Sequence, residues 1–200
     1  ACAAGIALNF IPLFMFKEPH HAGRDGKAEG PLTVLWQAVT GLLEPRLFFF
    51  TVAFAGFWLM FYQLFDILPN FIDDWVDSRD VATFLGGLLG QDTVPTVNGG
   101  NLTQEWMINA NALLISFFAF AMGYLTGKVE ALTAIIIGIA VSAVAIFGLG
   151  MSMSGWWVLG AIALFSFGEM TASPTKMRYL AAIAPPGKQG LYMGYVNMTV

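Results

Sequence analysis

The sequence predicts an all-α polytopic membrane protein, and its composition and the distribution of its charges support this fold class. Of its 200 residues, 57% are hydrophobic and 11% are charged, whereas a water-soluble chain carries about 25% charged residues. The charges are also segregated, because residues 131–168 contain none and neither do residues 47–65. This composition excludes a disordered chain, a nucleic-acid-binding protein with a basic face and an ordinary soluble enzyme.

The apolar segments define the predicted helices. A helix needs about 20 predominantly apolar residues to cross a hydrocarbon core about 30 Å thick. Four segments meet this requirement, and a shorter apolar segment lies at each end of the chain. The predicted spans are 47–68, 106–126, 131–150 and 156–175, with partial spans at 1–16 and 189–200. The long uncharged stretch must break at 151–155, where Ser and Gly permit a turn.

The basic residues predict the orientation of these helices. If 17–46 is cytoplasmic, alternation places the connections near Lys128 and at 176–188 on the same side, and 70–104 outside. The inner segments then hold eight of the nine Lys and Arg residues, and the outer segments hold only Arg79. This asymmetry is the positive-inside pattern. It predicts a multi-pass protein of a plasma or inner membrane, with 17–46 and 176–188 cytoplasmic and 70–104 extracytoplasmic.

The connecting segments are predicted to contain two short helices. Apolar residues at helical spacing predict one short amphipathic helix over 31–43, lying on the membrane surface. A second short helix is expected at 81–89, followed by a loop at 95–100. Both chain ends fall inside apolar runs, so we expect these residues to be an internal piece of a longer protein.

Glu169 is the candidate site residue that stands out most in the sequence. It lies within the predicted span 156–175, where Ser166, Thr171 and Ser173 are its polar neighbours. A carboxylate at that depth costs several kcal/mol unless it is paired, protonated or facing water. Because low dielectric disfavours the charged form, such a residue suits proton coupling. The alternative is a carboxyl group held to a neighbouring helix by hydrogen bonds.

A second polar set lies near the predicted outer end of the span 47–68. Tyr62, Gln63 and Asp66 fall on roughly one face of the helix, because residues three and four apart are neighbours. Gln63 offers both a donor and an acceptor, which suits a polar solute, and Asp66 is a second candidate for proton coupling. The alternatives are an interfacial Asp66 in contact with water and a Gln63 that joins two helices.

Asn109 and Asn111 open the span 106–126. Asn111 lies inside the helix, so its amide must find partners in the bundle or in a cavity. Both solute contact and a hydrogen bond between helices satisfy that need. The sequence contains no nucleophile–base pair, phosphate-binding loop or cysteine cluster. We therefore expect no enzyme activity, no metal site and no cofactor.

Three stretches resemble the major facilitator superfamily, and within it the proton-dependent oligopeptide transporter branch. The first is Gly168-Glu169-Met170-Thr171-Ala172-Ser173-Pro174, followed by Ala184-Pro185, Gly190 and Met193-Gly194, which is similar to the tenth helix and the start of the eleventh. The second is Phe57-Trp58 with Gln63, which resembles the seventh helix, and the third is Asn111 in the eighth. On this resemblance, 1–16 ends the sixth helix, 17–46 is the central cytoplasmic loop and 47–200 belongs to the C-terminal helical bundle.

The resemblance implies alternating access, in which two halves of the protein rock about a central site. Glu169 would couple protons, together with basic residues of an N-terminal six-helix half. Solute contacts would come from residues of the seventh, eighth and tenth helices, namely Trp58, Tyr62, Gln63, Asn109, Asn111, Ser166 and Ser173. The favoured function is proton-coupled symport of a small peptide or similar polar solute in a lipid bilayer. Two alternatives remain open: transport of a drug, sugar or anion, and a transport-dead sensor or structural homologue.

Overall fold

The computed structural model describes residues 30–198, and this part of the chain is mainly helical. The helices are α1 (Pro31–Leu42), α2 (Pro45–Trp75), α3 (Arg79–Leu89), α4 (Gln104–Gly127), α5 (Ala131–Leu149), α6 (Gly155–Ile183) and α7 (Gln189–Met198). A 3₁₀ turn at Gln91–Thr93 and two short strands, β1 (Thr96–Val97) and β2 (Asn101–Leu102), complete the elements. The predicted all-α class is confirmed. The predicted partial span 1–16 and most of the predicted loop 17–46 lie outside the described residues.

The chain divides into two units, residues 1–43 and 44–200. The described part of the first unit is α1, which begins with a proline at its first turn, a position where the missing N–H of proline costs nothing. Four of its apolar side chains are exposed, namely Leu32, Leu35, Trp36 and Val39.

Three helices of the second unit are long and apolar enough to cross a membrane. They are α2, α4 and α5, with mean hydropathies of 1.7, 1.6 and 2.6 over their most apolar windows. The fourth predicted span, 156–175, lies within α6, which is long enough at 29 residues but is not among these three. The carboxylate of Glu169 and the other polar side chains of this segment reduce its hydropathy.

α6 packs most extensively against α5, and small residues permit the close approach. A Cβ atom on Gly138 of α5 would lie 2.7 Å from the backbone nitrogen of Ala172 and 2.7 Å from the carbonyl oxygen of Gly168. A Cβ on Gly168 would lie 2.8 Å from the carbonyl oxygen of Gly138. Small residues at helix crossings in membranes allow such contact between backbones. The crossing therefore fixes the position of α6 at Gly168, the residue before Glu169.

α2 packs against α6 through aromatic rings and is longer than the predicted span 47–68. The rings of Phe61 and Phe165 are 5.8 Å apart between centroids. Beyond the predicted end, the helix continues through Pro69 to Trp75. Leu68 and Ile72 are buried on either side of the proline, and their packing stabilises the additional turns.

The segment between α2 and α4 contains a helix where one was predicted at 81–89, and it adds a β-hairpin where a loop was predicted at 95–100. It starts at Val76 and contains α3 and a β-hairpin. The hairpin turn includes Gly99 and Gly100 at φ +81° and +108°, conformations that glycine adopts without a steric penalty. Ser78 anchors the hairpin: its backbone N–H donates to Oδ1 of Asn101, and its Oγ accepts from the N–H of Leu102, both at 2.9 Å.

α6 also continues past its predicted end, so the predicted connection 176–188 is partly helical. The helix passes through Pro174 and reaches Ile183. Arg178 lies in this extension, and its guanidinium donates to the carbonyl oxygens of Thr126 and Val129 at 2.8 and 2.9 Å. The first carbonyl lies at the end of α4 and the second lies in the turn to α5. The last carbonyls of a helix have no N–H partner within the helix, and Arg178 provides donors at this end.

Candidate functional site

Glu169 lies in a hydrogen-bonded cluster with Asn111 and Ser166. Nδ2 of Asn111 donates to Oε2 of Glu169 at 3.1 Å and to Oγ of Ser166 at 2.9 Å. An amide NH₂ group carries two hydrogens, so it can serve both acceptors. Ser166 in turn donates to the carbonyl oxygen of Ile162 at 2.8 Å. Ser166 is 0% exposed and Asn111 is 8% exposed, so both residues are removed from solvent.

Two helices bring this cluster together. Ser166 and Glu169 are three residues apart on α6 and therefore share one face of that helix. Asn111 comes from the second turn of α4 and reaches the same face across the contact between the two helices. The close crossing of α5 and α6 at Gly168 supports the cluster from the other side.

The Glu169 side chain faces a cavity of about 530 Å³. We call this space the α4–α6–α7 cavity, after the helices that line it. Its lining residues are Ile115, Ala119, Gly123, Glu169, Met170, Ser173, Pro174, Lys176, Met177, Val196 and Asn197. The wall is mainly apolar, with Glu169 and Lys176 as its two ionisable side chains among the described residues.

Lys176 is a cavity residue that was predicted to lie in the connection 176–188, but α6 continues through this position. Lys176 lies within α6 and is 5% exposed. Its Nζ lies 4.8 Å from the ring centroid of Trp58 and 5.9 Å from that of Phe54. The same ammonium group lies 3.5 Å from the carbonyl oxygen of Val196. The signal in the sequence was the spacing, because seven residues, or about two helical turns, return Lys176 to the face of Glu169.

Two further candidates from the sequence lie at or beside the cavity. Ser173 lines it directly. Trp58 is next to the cavity through its contact with the ammonium group of Lys176. The indole Nε1 of Trp58 is buried and has no hydrogen-bond partner within residues 30–198.

The remaining candidates lie elsewhere. Gln63 is exposed and lines a separate apolar groove of about 300 Å³, together with Ile146 and Leu149 of α5. Tyr62 and Asp66 are exposed too, although the ring of Tyr62 lies 5.9 Å from that of Trp58. Asn109 is also exposed, because two helix positions separate it from Asn111 by about 200° around the axis.

Within residues 30–198, no group of three or more His, Cys, Asp or Glu side chains is arranged to hold a metal ion. Cys2, His20 and His21 lie outside that range. The described cavity presents one carboxylate, that of Glu169, and one ammonium group, that of Lys176.

The fold is that of an integral membrane protein. Its helices line a cavity that carries one acidic and one basic side chain, Glu169 and Lys176, among the described residues. The sequence matches the family model of the Major Facilitator Superfamily over residues 1–200. The chain belongs to this superfamily, and its helices form part of the superfamily's all-α fold, as the sequence predicted. No curated protein and no solved structure matched the chain.

Proposed function

We propose that the chain supplies much of the C-terminal half of a proton-coupled symporter that moves a small peptide, or a similar small polar solute, by alternating access. Membership of the superfamily supports secondary transport in a membrane. The proposal goes beyond this membership in two respects: the coupling of transport to protons and the choice of a peptide as the solute. The observation that carries the coupling is the carboxylate of Glu169, which faces the α4–α6–α7 cavity.

The environment of Glu169 suits a group that is charged in one state and neutral in another. Its one hydrogen bond within residues 30–198 comes from Asn111, which is an uncharged donor. An intramembrane carboxylate without a cationic partner is costly, and it becomes acceptable when it binds a proton or meets a cationic group. Exchange between these partners would link proton movement to the change between inward-facing and outward-facing states.

Solute contact is proposed for Ser173, which lines the cavity, and for Trp58, whose ring lies next to Lys176. Asn111 and Ser166 are buried, and we propose that they position the carboxylate: Asn111 donates to Glu169, and Ser166 accepts the second bond of the same amide. Gln63, Tyr62, Asp66 and Asn109 do not line the cavity, and the proposal gives them no role.

The test is Glu169→Gln in the full-length protein, reconstituted in liposomes with radiolabelled alanyl-alanine as the solute. The amide has the shape of the acid but cannot carry the proton. We expect the variant to lose accumulation driven by a pH gradient and to retain exchange of labelled for unlabelled dipeptide. Glu105→Gln, an exposed acid at the start of α4, is the control and should accumulate the dipeptide normally.

Two results would contradict the proposal in different ways. Normal gradient-driven accumulation by Glu169→Gln would remove the assigned role of Glu169. Failure of the wild-type protein to exchange alanyl-alanine would remove the peptide solute and would favour another solute or a protein that does not transport.

A further inference from the structure

Lys176 is a buried cation without an acidic partner in the part of the chain that the structure describes. The one ion pair among residues 30–198 joins Arg79 to Asp77, at the start of α3. The nearest acid on the cavity wall is Glu169, and its carboxylate is bound to Asn111 instead. No acid within residues 30–198 therefore neutralises the positive charge of Lys176.

The contacts of Lys176 compensate its charge only in part. An ammonium group has three donors, and one described acceptor, the carbonyl oxygen of Val196, lies 3.5 Å away. The ring faces of Trp58 and Phe54 attract the cation, and the stabilisation that an aromatic ring gives to a cation is modest. Removing a charged group from water costs more than that unless it is paired. An anion that enters the cavity would neutralise the remaining charge of Lys176.

The position of Lys176 separates it from Glu169 within one shared cavity. Both residues line the α4–α6–α7 cavity, and seven residues of α6 correspond to a rise of about 10 Å. The cavity therefore has an acidic end near Asn111 and a basic end near Trp58. A solute with a carboxylate can approach the basic end without competing for the hydrogen bond that Asn111 gives to Glu169.

We propose that Lys176 is an anion-binding residue of the α4–α6–α7 cavity, which receives the carboxylate of the transported solute beside the ring of Trp58. The inference rests on the proposed function in one respect, namely that this cavity receives the solute. It narrows the solute to molecules that carry at least one carboxylate. It does not require Glu169 to couple protons.

The test measures acetate binding to the purified full-length protein in detergent, because acetate is the smallest carboxylate that can probe the site. Tryptophan fluorescence reports on Trp58, and thermal unfolding provides a second readout, both at constant ionic strength. We expect a saturable response to acetate in the wild type and none to acetamide, which has the same shape without the charge. Trp58→Phe identifies the part of the fluorescence change that comes from this ring.

Lys176→Met removes the charge and keeps much of the side-chain volume. We expect it to weaken acetate binding at least about tenfold, which corresponds to about 1.4 kcal/mol, whereas Lys176→Arg should retain binding. The matched control is Lys128→Met, because Lys128 also lies over an aromatic ring, at 4.2 Å from the centroid of Tyr124, but is exposed outside the cavity. Gel filtration checks that each variant is folded.

Two outcomes would overturn the inference: acetate binding by Lys176→Met that equals the wild type, and a wild type that shows no saturable response to acetate. Neither outcome depends on protons or on transport. Loss of acetate binding in Lys176→Met combined with normal coupling in Glu169→Gln would keep the anion site and discard the coupling role of Glu169.

Discussion

Asn111 and Glu169 are joined by a hydrogen bond of 3.1 Å between Nδ2 and Oε2. This bond links α4 to α6 at the cavity wall and holds the carboxylate at a defined point. It is reinforced by the second bond of the same amide to Ser166. The pair therefore connects the stability of the bundle to the position of its intramembrane acid.

Replacing Asn111 with Leu tests this link. The apolar side chain has a similar size but leaves Glu169 without its described donor. We expect the free energy of unfolding to fall by about 1–2 kcal/mol, in the range of hydrogen bonds between membrane helices and of bonds to charged groups. Thermal unfolding of the full-length protein in detergent measures the change. Asn109→Leu on the exposed side of the same helix is the control, and equal effects of the two changes would contradict the prediction.

The crossing of α5 and α6 predicts a strong difference between two glycines of α5. At Gly138, an added Cβ would lie 2.7 Å from two backbone atoms of α6, whereas a Cβ at Gly148 would meet no atom within 4 Å. We expect Gly138→Ala to lower the free energy of unfolding by about 1–3 kcal/mol, because the helices must separate. Gly148→Ala should be neutral or slightly stabilising, because alanine favours the helix. Equal melting temperatures for both variants would contradict the close contact between the backbones of α5 and α6 at Gly138.

The ion pair of Asp77 and Arg79 predicts a weak dependence of stability on pH. Hydrogen bonds from the Arg79 side chain lower the pKa of Asp77 from 3.8 to about 2. A pKa that is lower in the folded state means that the pair stabilises the fold above pH 3.8 and that this contribution is lost as the pH falls through about 2. The effect is small and sensitive to salt, because both side chains are exposed.

Asp77→Asn should therefore show a shallower loss of melting temperature than the wild type across this pH window. The amide variant keeps the backbone bonds of residue 77 to Met153 and Gly155, so the comparison isolates the carboxylate. Asp92→Asn, at another exposed acid of the same segment, should follow the wild-type curve. Parallel curves for Asp77→Asn and the wild type would refute the assignment.

The hydrogen bond between Ser78 and Leu102 is expected to stabilise the attachment of the hairpin. The side chain of Ser78 is 1% exposed, and its Oγ accepts the backbone N–H of Leu102. Ser78→Ala leaves that N–H buried without an acceptor, which costs about 1–3 kcal/mol. Amide hydrogen exchange at Leu102 should become faster in the variant. Thr83→Ala removes an exposed hydroxyl of α3 that bonds only its own helix, and exchange at Leu102 should not change there.

The helical segments could be predicted from the sequence, but the C-terminal ends of α2 and α6 could not. A run of apolar residues shows where a helix lies, whereas α2 and α6 continue as helices beyond their apolar runs, to Trp75 and Ile183. In the structure Pro69 and Pro174 each lie inside a helix, because neighbouring side chains such as Leu68 and Leu180 are buried against other elements. That packing involves residues distant in the sequence, and local pattern does not contain it.

The residues of the candidate site could also be predicted only in part. Glu169 could be singled out because an acid in an apolar segment is rare, and Asn111 because an amide inside a span needs a partner. The pairing of Asn111 with Ser166, 55 residues away, depends on how α4 is rotated against α6. That rotation also turns Asn109 outward, and the rotation of α2 directs Gln63 into a different groove. Lys176 was missed because its charge suggested a loop, whereas its helix continues.

The guanidinium of Arg178 holds two carbonyl oxygens where α4 ends. Any tilt of the last turns of α6 must either break both contacts together or carry the α4–α5 turn along. The carbonyl of Thr126 also accepts the backbone N–H of Val129, so both partners of Arg178 belong to one tight turn. We therefore expect Arg178 to tie the last turns of α6 to the α4–α5 turn, so that a displacement of one of these segments shifts the other.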